Sequence, residues 1–231
     1  ESRGGPEVLI CPASKREVPL NHYSWITAPK SIFKKMSDSN KKKHGSNFNK
    51  LLLLKGPTTN EKFEGIQYQR IKNTLGFMEK ARIKVNKYFV INELIVMLKS
   101  NGLLPAIVFV FSRKQVDILA NKVQLMLYED GSKKSSTVDK ECELLLKSKL
   151  TNWKEYTRLP EYETLINLLR KGIGVHHAGI LKEFREMIEL LFDKGYIKLL
   201  FATETFAVGI NMPTKTTVFT SLEKFDGNSF R

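Results

Sequence analysis

The sequence has few cysteines and no long uninterrupted run of apolar residues. Cys11 and Cys142 are the only cysteines among 231 residues, too few for a disulfide scaffold and without metal-ligand spacing. No apolar run approaches membrane-spanning length, and the start ESRGGPEVLI lacks the apolar core of a signal peptide. We therefore expect a soluble intracellular protein of the cytoplasm or nucleus, with no membrane partner. The start without Met and the end at SFR also suggest a piece of a longer protein.

Several catalytic motifs are missing as well. The sequence contains neither a Gly-x-Ser-x-Gly nucleophile elbow nor the phosphate-binding G-x-x-x-x-G-K-[ST] loop. His176 and His177 are adjacent, so on a strand they would point to opposite faces and could not share a metal ion. A structural hydrogen bond at the strand end is the favoured role for at least one of them. We expect no metal site, and only part of a nucleotide site if the protein handles nucleoside triphosphate.

Acidic residues are scarce relative to basic ones. The chain has 38 Lys and Arg against 24 Asp and Glu, a formal net charge of +14 and a pI near 9.7. This balance favours a polyanionic partner, with nucleic acid ahead of an anionic membrane surface. The alternative is that the excess lysine only promotes solubility. For Lys41, Lys42 and Lys43, a solvated charge run is favoured over a nucleic-acid contact.

The first third of the chain shows little periodicity. Residues 7–25 hold a short apolar run and two prolines, which indicates extended chain or an edge strand. Residues 34–68 are rich in lysine, asparagine, serine and glycine, so their composition predicts a flexible loop. The run LLLLK at residues 51–55 is too short to classify.

Regular alternation of helices and strands begins near residue 87. Residues 87–102 have helical apolar spacing and end at Asn101 and Gly102, a good helix stop. Residues 105–111, PAIVFVF, predict a buried strand. Ser112, with Gln115 three residues later, predicts a capped helix. The buried face of that helix would carry Val116, Leu119, Ala120, Val123 and Leu127.

The alternation continues to the end of the chain. Residues 129–159 are polar and then helical, and we interpret them as an insertion. Residues 160–172 begin with proline and end with glycine, as helices often do. The short strand GVHH, a helix at residues 182–195, and the strands IKLLFA and TTVFT follow. In the second of these helices the aligned apolar residues are Phe184, Met187, Ile188 and Leu191.

This order of elements predicts an α/β fold with a mostly parallel sheet covered by helices. Ligands of such sheets bind at the carboxyl ends of the strands. Three loops lie there: FSRK, HHAG and TETFAVGIN. The first places Ser112, Arg113 and Lys114 at a helix N-terminus, where free backbone N–H groups favour anions. The small residues of the other two would let a backbone approach closely.

Three blocks of the sequence resemble the superkiller-type DExH-box RNA helicases of superfamily 2. The blocks are PAIVFVFSRK, GIGVHHAGILKEFREMIELLFDKGYIKLLFATETFAVGINMPTKTTVF and SLEKFDGNSFR. They are similar to motif IV, the motif IVa region and motif V of the second RecA-like domain. The resemblance implies a RecA-like, mostly parallel sheet with helices on both faces and no P-loop of its own. KREVPL, near the start, resembles the stretch where the family leaves its first RecA-like domain.

The resemblance also implies a division of the chain. Residues 1–33 would lead in from the preceding RecA-like domain, and residues 34–86 would be a lysine-rich insertion or linker. Residues 87–231 would be the second RecA-like domain, with an insertion at about 129–159 and an end before the arginine-rich motif VI.

Family roles transfer to the matching positions of this sequence. Gly209 and Asn211 would face the interdomain cleft and the nucleotide. Thr205 is the strongest candidate for a direct phosphate bond. The residues that would lie along the nucleic-acid backbone are Ser112, Arg113, His177, Ala178, Gly179, Arg185, Thr203, Glu204 and Thr205.

The implied activity is ATP-dependent translocation on single-stranded RNA with 3′ to 5′ polarity. The cofactor would be ATP with Mg²⁺, held together with the first RecA-like domain, and partners would include RNA-decay or transcription machinery. The P-loop lysine, the DExH carboxylates and motif VI are absent from this sequence, so the chain alone is not expected to hydrolyse ATP.

Three alternatives stay open: a related DNA-repair helicase, a catalytically inactive RNA-binding scaffold, and a basic α/β domain without a nucleic-acid role.

Overall fold

The structure is a computed structural model that describes residues 18–57, 62–129, 131–207 and 213–221. The chain divides into two compact units, Glu1–Asn86 and Lys87–Arg231. Among the described residues, no helix combines the length and the apolar character needed to cross a lipid bilayer.

The first unit is built on a β-hairpin with a helical insertion between its strands. Its strands β1 and β2 pair antiparallel, with Tyr23 opposite Leu53. The elements of this unit, in chain order, are β1 (His22–Trp25), α1 (Lys30–Lys35), α2 (Asp38–His44), a 3₁₀ turn (Gly45–Asn47), β2 (Leu51–Lys55) and α3 (Gly65–Lys80). The predicted extended conformation is confirmed for residues 22–25, whereas residues 7–17 lie outside the described part of the chain.

The prediction that residues 34–68 form a flexible loop is wrong for the described residues of this range, 34–57 and 62–68. This segment contains α2, the 3₁₀ turn, β2 and the start of α3. Its scattered apolar residues Phe48 and Leu52 are buried in a small core with Ile26, Ala28 and Ile71. The segment is folded despite its polar composition, because burial of these apolar side chains stabilises helices and strands that local propensity alone does not favour.

A buried polar cluster holds α2 and the 3₁₀ turn against α3. The Thr74 hydroxyl donates to the Arg70 carbonyl at 2.9 Å and accepts from Asn47 Nδ2 at 2.8 Å. Its second lone pair faces His44 Nδ1 at 3.2 Å, so this ring nitrogen carries a proton and donates. The His44 ring also stacks on Phe77, with centroids 4.8 Å apart. Burial, reinforced by repulsion from Lys43, lowers the pKa of His44.

Acidification should therefore destabilise the first unit through His44. The folded-state pKa is below the ordinary value of 6.5, so the unfolded chain binds more protons near pH 6 and stability is lost as pH falls below about 6.5. Urea unfolding followed by Trp25 fluorescence, with Trp153 replaced by Phe, should give a lower midpoint at pH 5.5 than at pH 7.5. His44→Gln should reduce this difference; an equal loss in both proteins would contradict the assignment.

The second unit is an α/β sandwich around a parallel sheet. Its strand order is β4-β5-β3-β6, and all three pairings are parallel. This confirms the predicted α/β class. The elements in chain order are α4 (Lys87–Ser100), β3 (Ala106–Phe109), α5 (Arg113–Asn121), α6 (Lys134–Lys149), α7 (Trp153–Tyr156), α8 (Pro160–Leu169), β4 (Ile173–His176), α9 (Lys182–Asp193), β5 (Leu199–Ala202), a 3₁₀ turn (Glu204–Ala207) and β6 (Thr216–Phe219).

The strand order places helices on both faces of the sheet. The connection from β3 to β4 passes β5, and the connection from β4 to β5 runs back in the opposite direction. Two right-handed crossovers of opposite direction must lie on opposite faces. The helix α5 therefore covers one face and α9 the other, which gives the three layers of a RecA-like fold.

The core lies between these layers. Every residue of β3, β4 and β5 is buried, whereas β6 alternates between half-buried and exposed residues as an edge strand does. On α9 the four predicted core residues are all buried. On α5 the prediction is only partly right, because the helix ends at Asn121. Val123 and Leu127 are buried but belong to the following segment, where the Leu127 N–H donates to the Lys171 carbonyl at 2.9 Å.

The predicted insertion at residues 129–159 is helical as expected, but its first helix begins at Lys134, already within the polar stretch. Val138, Cys142 and Leu146 form the buried face of α6. Ion pairs join this helix to α9 and its C-terminus, with Lys149 Nζ 2.6 Å from Glu186 and Lys194 bound to Glu141. Burial raises the pKa of the Cys142 thiol to about 12, so this cysteine is a core residue rather than a nucleophile.

Candidate nucleic-acid interface at the strand ends

The carboxyl ends of β3, β5 and β4 lie side by side. The register pairs Phe109 with Ala202 and Ala202 with His176, so the three strands end at the same level of the sheet. The loops that follow them are consequently neighbours. This arrangement brings together the three segments that the sequence analysis selected.

The loop after β3 places two cations at the start of α5. Ser112 caps this helix in extended conformation, and its Oγ accepts from the Gln115 N–H at 3.4 Å, which confirms the predicted cap. Arg113 and Lys114 are exposed in the first turn. A Cβ atom at Gly179 would lie 3.8 Å from Arg113 Cδ. The arginine side chain therefore runs beside the HHAG loop.

His177 holds the HHAG loop against α5. The Gly179 N–H donates to its Nδ1 at 3.1 Å, so the ring proton must be on Nε2, which donates to Asp117 Oδ1 at 3.0 Å. The side chain is 5% exposed, and both ring nitrogens are engaged within the protein. The ring thus positions the loop, and the exposed part of the loop is Ala178 and Gly179. A Cβ at Gly179 would meet the His177 ring at 3.0 Å, which explains the glycine.

His176 points to the opposite face, as its position next to His177 predicted. Its Nε2 lies 2.7 Å from Glu189 Oε1 on α9, and its ring packs against Phe206 at 4.7 Å between centroids. Burial lowers the pKa of His176, although the Glu189 carboxylate acts in the other direction. The neutral ring therefore donates from Nε2 to Glu189. The expected structural hydrogen bond at the strand end is present for both histidines.

The loop after β5 presents one exposed hydroxyl on a buried support. Thr203 is 6% exposed, and its N–H donates to the His176 carbonyl at 3.1 Å. Its Oγ1 lies 3.0 Å from that of Thr205, which is exposed. Glu204 is half-buried at the start of the 3₁₀ turn. Of the predicted phosphate contacts in this loop, Thr205 is the exposed residue.

The remaining predicted site residues are not exposed loop residues of the described structure. Arg185 is half-buried on α9, and its Nε is buried without a hydrogen-bond partner among the described residues. Its charge contributes to lowering the pKa of His176, so it lies near the strand end. Gly209 and Asn211, the predicted nucleotide contacts, lie outside the described residues.

Sequence reasoning missed the residues that support the site. Asp117 and Glu189 anchor the two histidines, and Phe206 packs beneath one of them. The signal that could have found them is helical spacing, because each acid lies four residues after a predicted arginine contact, Arg113 or Arg185, and therefore one turn along the same face.

The described residues contain no group of three or more His, Cys, Asp or Glu arranged to hold a metal ion. The strand ends combine exposed cations, an exposed threonine and a helix N-terminus, and cations and a helix N-terminus both favour anions. The fold and this surface together define the class: an α/β domain of RecA-like type.

Comparison with known proteins identifies the family. No protein-family model matches the chain. The chain is 34% identical over 219 residues, 94% of its length, to a DExH-box ATP-dependent RNA helicase of Arabidopsis thaliana. It is 42% identical over 140 residues, 60% of its length, to Superkiller complex protein 2 of Homo sapiens. It is 39% identical over 139 residues, also 60% of its length, to the exosome RNA helicase MTR4 of Homo sapiens.

The chain belongs to the superkiller-type DExH-box helicases, as its motifs predicted. It spans 21% of the length of the plant relative and 11% and 13% of the two human relatives. It therefore corresponds to one segment of a protein of this kind.

The tautomer of His177 gives a direct test of the site geometry. Long-range ¹H–¹⁵N NMR at pH 7.5 should show the proton on Nε2, and Asp117→Asn should preserve this tautomer because its amide oxygen still accepts. Asp117→Ala should lower the free energy of unfolding by about 1 kcal/mol, since Asp117 is half-exposed and a single hydrogen bond is lost. A proton on Nδ1 in the unchanged protein would contradict the arrangement.

Proposed function

We propose that residues 87–231 of this chain are the second RecA-like domain, the C-terminal helicase domain, of an ATP-dependent RNA helicase, and that its strand-end loops bind the RNA backbone. The observation that carries the proposal is the meeting of Arg113, the HHAG loop and Thr205 at one edge of the parallel sheet. The relatives named as RNA helicases supply the substrate class.

The geometry suits a phosphate chain. Arg113 and the first turn of α5 offer a cation beside free backbone N–H groups, and both favour an anion. Gly179 and the exposed backbone around it allow the RNA backbone to come close without steric conflict. Thr205, supported by Thr203, adds a hydroxyl donor. Contacts of these kinds are independent of base sequence, which a translocating enzyme requires.

Nucleotide would bind between this domain and a first RecA-like domain. Gly209 and Asn211 would face that cleft, while the P-loop and the Mg²⁺ ligands would come from the first domain. ATP with Mg²⁺ would favour the closed state, and hydrolysis would release the RNA, so that the domains advance 3′ to 5′. The names of the relatives support a place in RNA processing or decay, with exosome-type machinery as partner.

The same division of the site predicts that the 231-residue chain has no ATPase activity of its own. Phosphoryl transfer needs a P-loop, Mg²⁺ and an arginine finger, and the sequence contains no P-loop. Colorimetric phosphate release should stay at background with and without RNA. RNA-stimulated hydrolysis by the purified chain would contradict this division.

Binding to single-stranded RNA tests the strand-end site. Fluorescence anisotropy with a labelled oligonucleotide should show affinity that falls steeply with salt. Arg113→Ala should weaken binding about tenfold at fixed salt, because a charge-assisted bond to phosphate is lost. Thr205→Ala should weaken it roughly fivefold, whereas Thr205→Ser, which keeps the hydroxyl, should bind nearly as well as the unchanged chain.

Arg158→Ala provides the matched control, because Arg158 is an exposed arginine of the predicted insertion. If Arg113→Ala and Arg158→Ala reduce affinity equally, the strand ends are not the binding site. A DNA oligonucleotide of the same sequence separates the related alternative: tighter binding to DNA than to RNA would favour a DNA-repair helicase.

A further inference from the structure

The positive charge of the protein is concentrated in the first unit. Residues 1–86 contain 17 Lys and Arg against 7 Asp and Glu, whereas residues 87–231 contain 21 against 17. The first unit thus has a formal charge of +10 out of +14 in little more than a third of the chain. The strand-end site, which lies in the second unit, does not account for this charge.

The cations of the two units differ in how they are compensated. In the second unit Lys149, Arg170 and Lys194 are each paired with a carboxylate. In the described part of the first unit, the one ion pair joins Lys41 to Asp38 at 3.0 Å, and the Asp38 side chain is 90% exposed. Uncompensated like charge destabilises a compact unit through repulsion. A polyanion that binds there would remove this cost.

The three consecutive lysines of α2 lie on a helix that is anchored to α3. Lys41, Lys42 and Lys43 occupy its last turn, where the helix dipole favours cations. The next residue, His44, is buried against Thr74 and Phe77 of α3. The three lysines are therefore exposed on a structured element rather than on a flexible loop.

A second feature of the first unit is a pair of exposed aromatic rings at the start of α3. Phe63 and Tyr68 lie 5.5 Å apart between ring centroids, and they are 54% and 45% exposed. Lys72, one helical turn after Tyr68, places its Nζ 5.8 Å from the centre of the tyrosine ring. Exposed rings beside cations suit single-stranded nucleic acid, because bases stack on the rings while the cations contact phosphates.

We propose that the first unit binds single-stranded RNA at two places, the α2 lysines (Lys41, Lys42, Lys43) and the aromatic cluster at the start of α3 (Phe63, Tyr68, Lys72). The two groups together are called the second contact surface. The proposal extends the proposed function, because it takes the same ligand class at a site that is separate in sequence. The aromatic cluster favours RNA over an acidic protein, since the lysines alone would serve either partner. The surface would retain RNA while the strand-end loops release it.

The α2 lysines are tested by replacing them with glutamine, which removes the positive charge and keeps a polar side chain. The triple variant Lys41→Gln, Lys42→Gln, Lys43→Gln should reduce the slope of log K against log salt by about 2, since each single-strand phosphate contact contributes about 0.7. The matched control replaces Lys133, Lys140 and Lys147, three exposed lysines in or beside α6, by Gln. Equal slopes for the two triple variants would overturn the proposal. That result is also the one expected if the lysines bind an acidic protein instead of RNA.

The aromatic cluster is tested at fixed salt with a single-stranded RNA in the full 231-residue chain. Tyr68→Ala should weaken binding at least fivefold through lost stacking, whereas Tyr68→Phe should bind like the unchanged chain. Equal affinity of the Ala and Phe variants would overturn the role of the ring. The outcome for the strand-end site is independent: if Arg113→Ala has no effect while these variants weaken binding, the proposed function fails at its site and the second surface stands.

Discussion

The parallel, in-register pairing of β5 between β3 and β4 is the constraint on which the rest of the second unit depends. Because the three strands are paired at the same level, their carboxyl ends form one edge. The loops that follow are far apart in sequence but adjacent in space. All three strands are buried on both faces, so a shift of register would expose apolar side chains and separate the loops at once.

The two adjacent histidines connect this edge to both helix layers. His177 reaches Asp117 on one face and His176 reaches Glu189 on the other. Each bond therefore ties a helix to the end of the same strand, and Phe206 packs on the second ring from the neighbouring loop. Movement of either helix would be transmitted to the loops, which suits a domain whose grip on RNA is proposed to change with nucleotide.

The first unit is stabilised in a different way, because it is small and strongly basic. Its apolar core is limited, and buried polar bonds around Thr74 hold its helices together. The repulsion among its lysines acts against this core. The proposed RNA contact would give this charge a function, because the exposed rings of Phe63 and Tyr68 offer a surface on which bases can stack.

The sequence by itself determined the α/β class, the main helices and strands of the second unit, the Ser112 cap and the family, because these follow from local periodicity and from motifs. Tertiary structure decided that the segment around Phe48 and Leu52 is folded, since these residues are buried against Ile71 of α3 and against Ile26 and Ala28. It also decided that Val123 and Leu127 lie beyond α5, and that Asp117 and Glu189 support the site. Those outcomes depend on contacts between segments distant in the chain, which local sequence patterns do not encode.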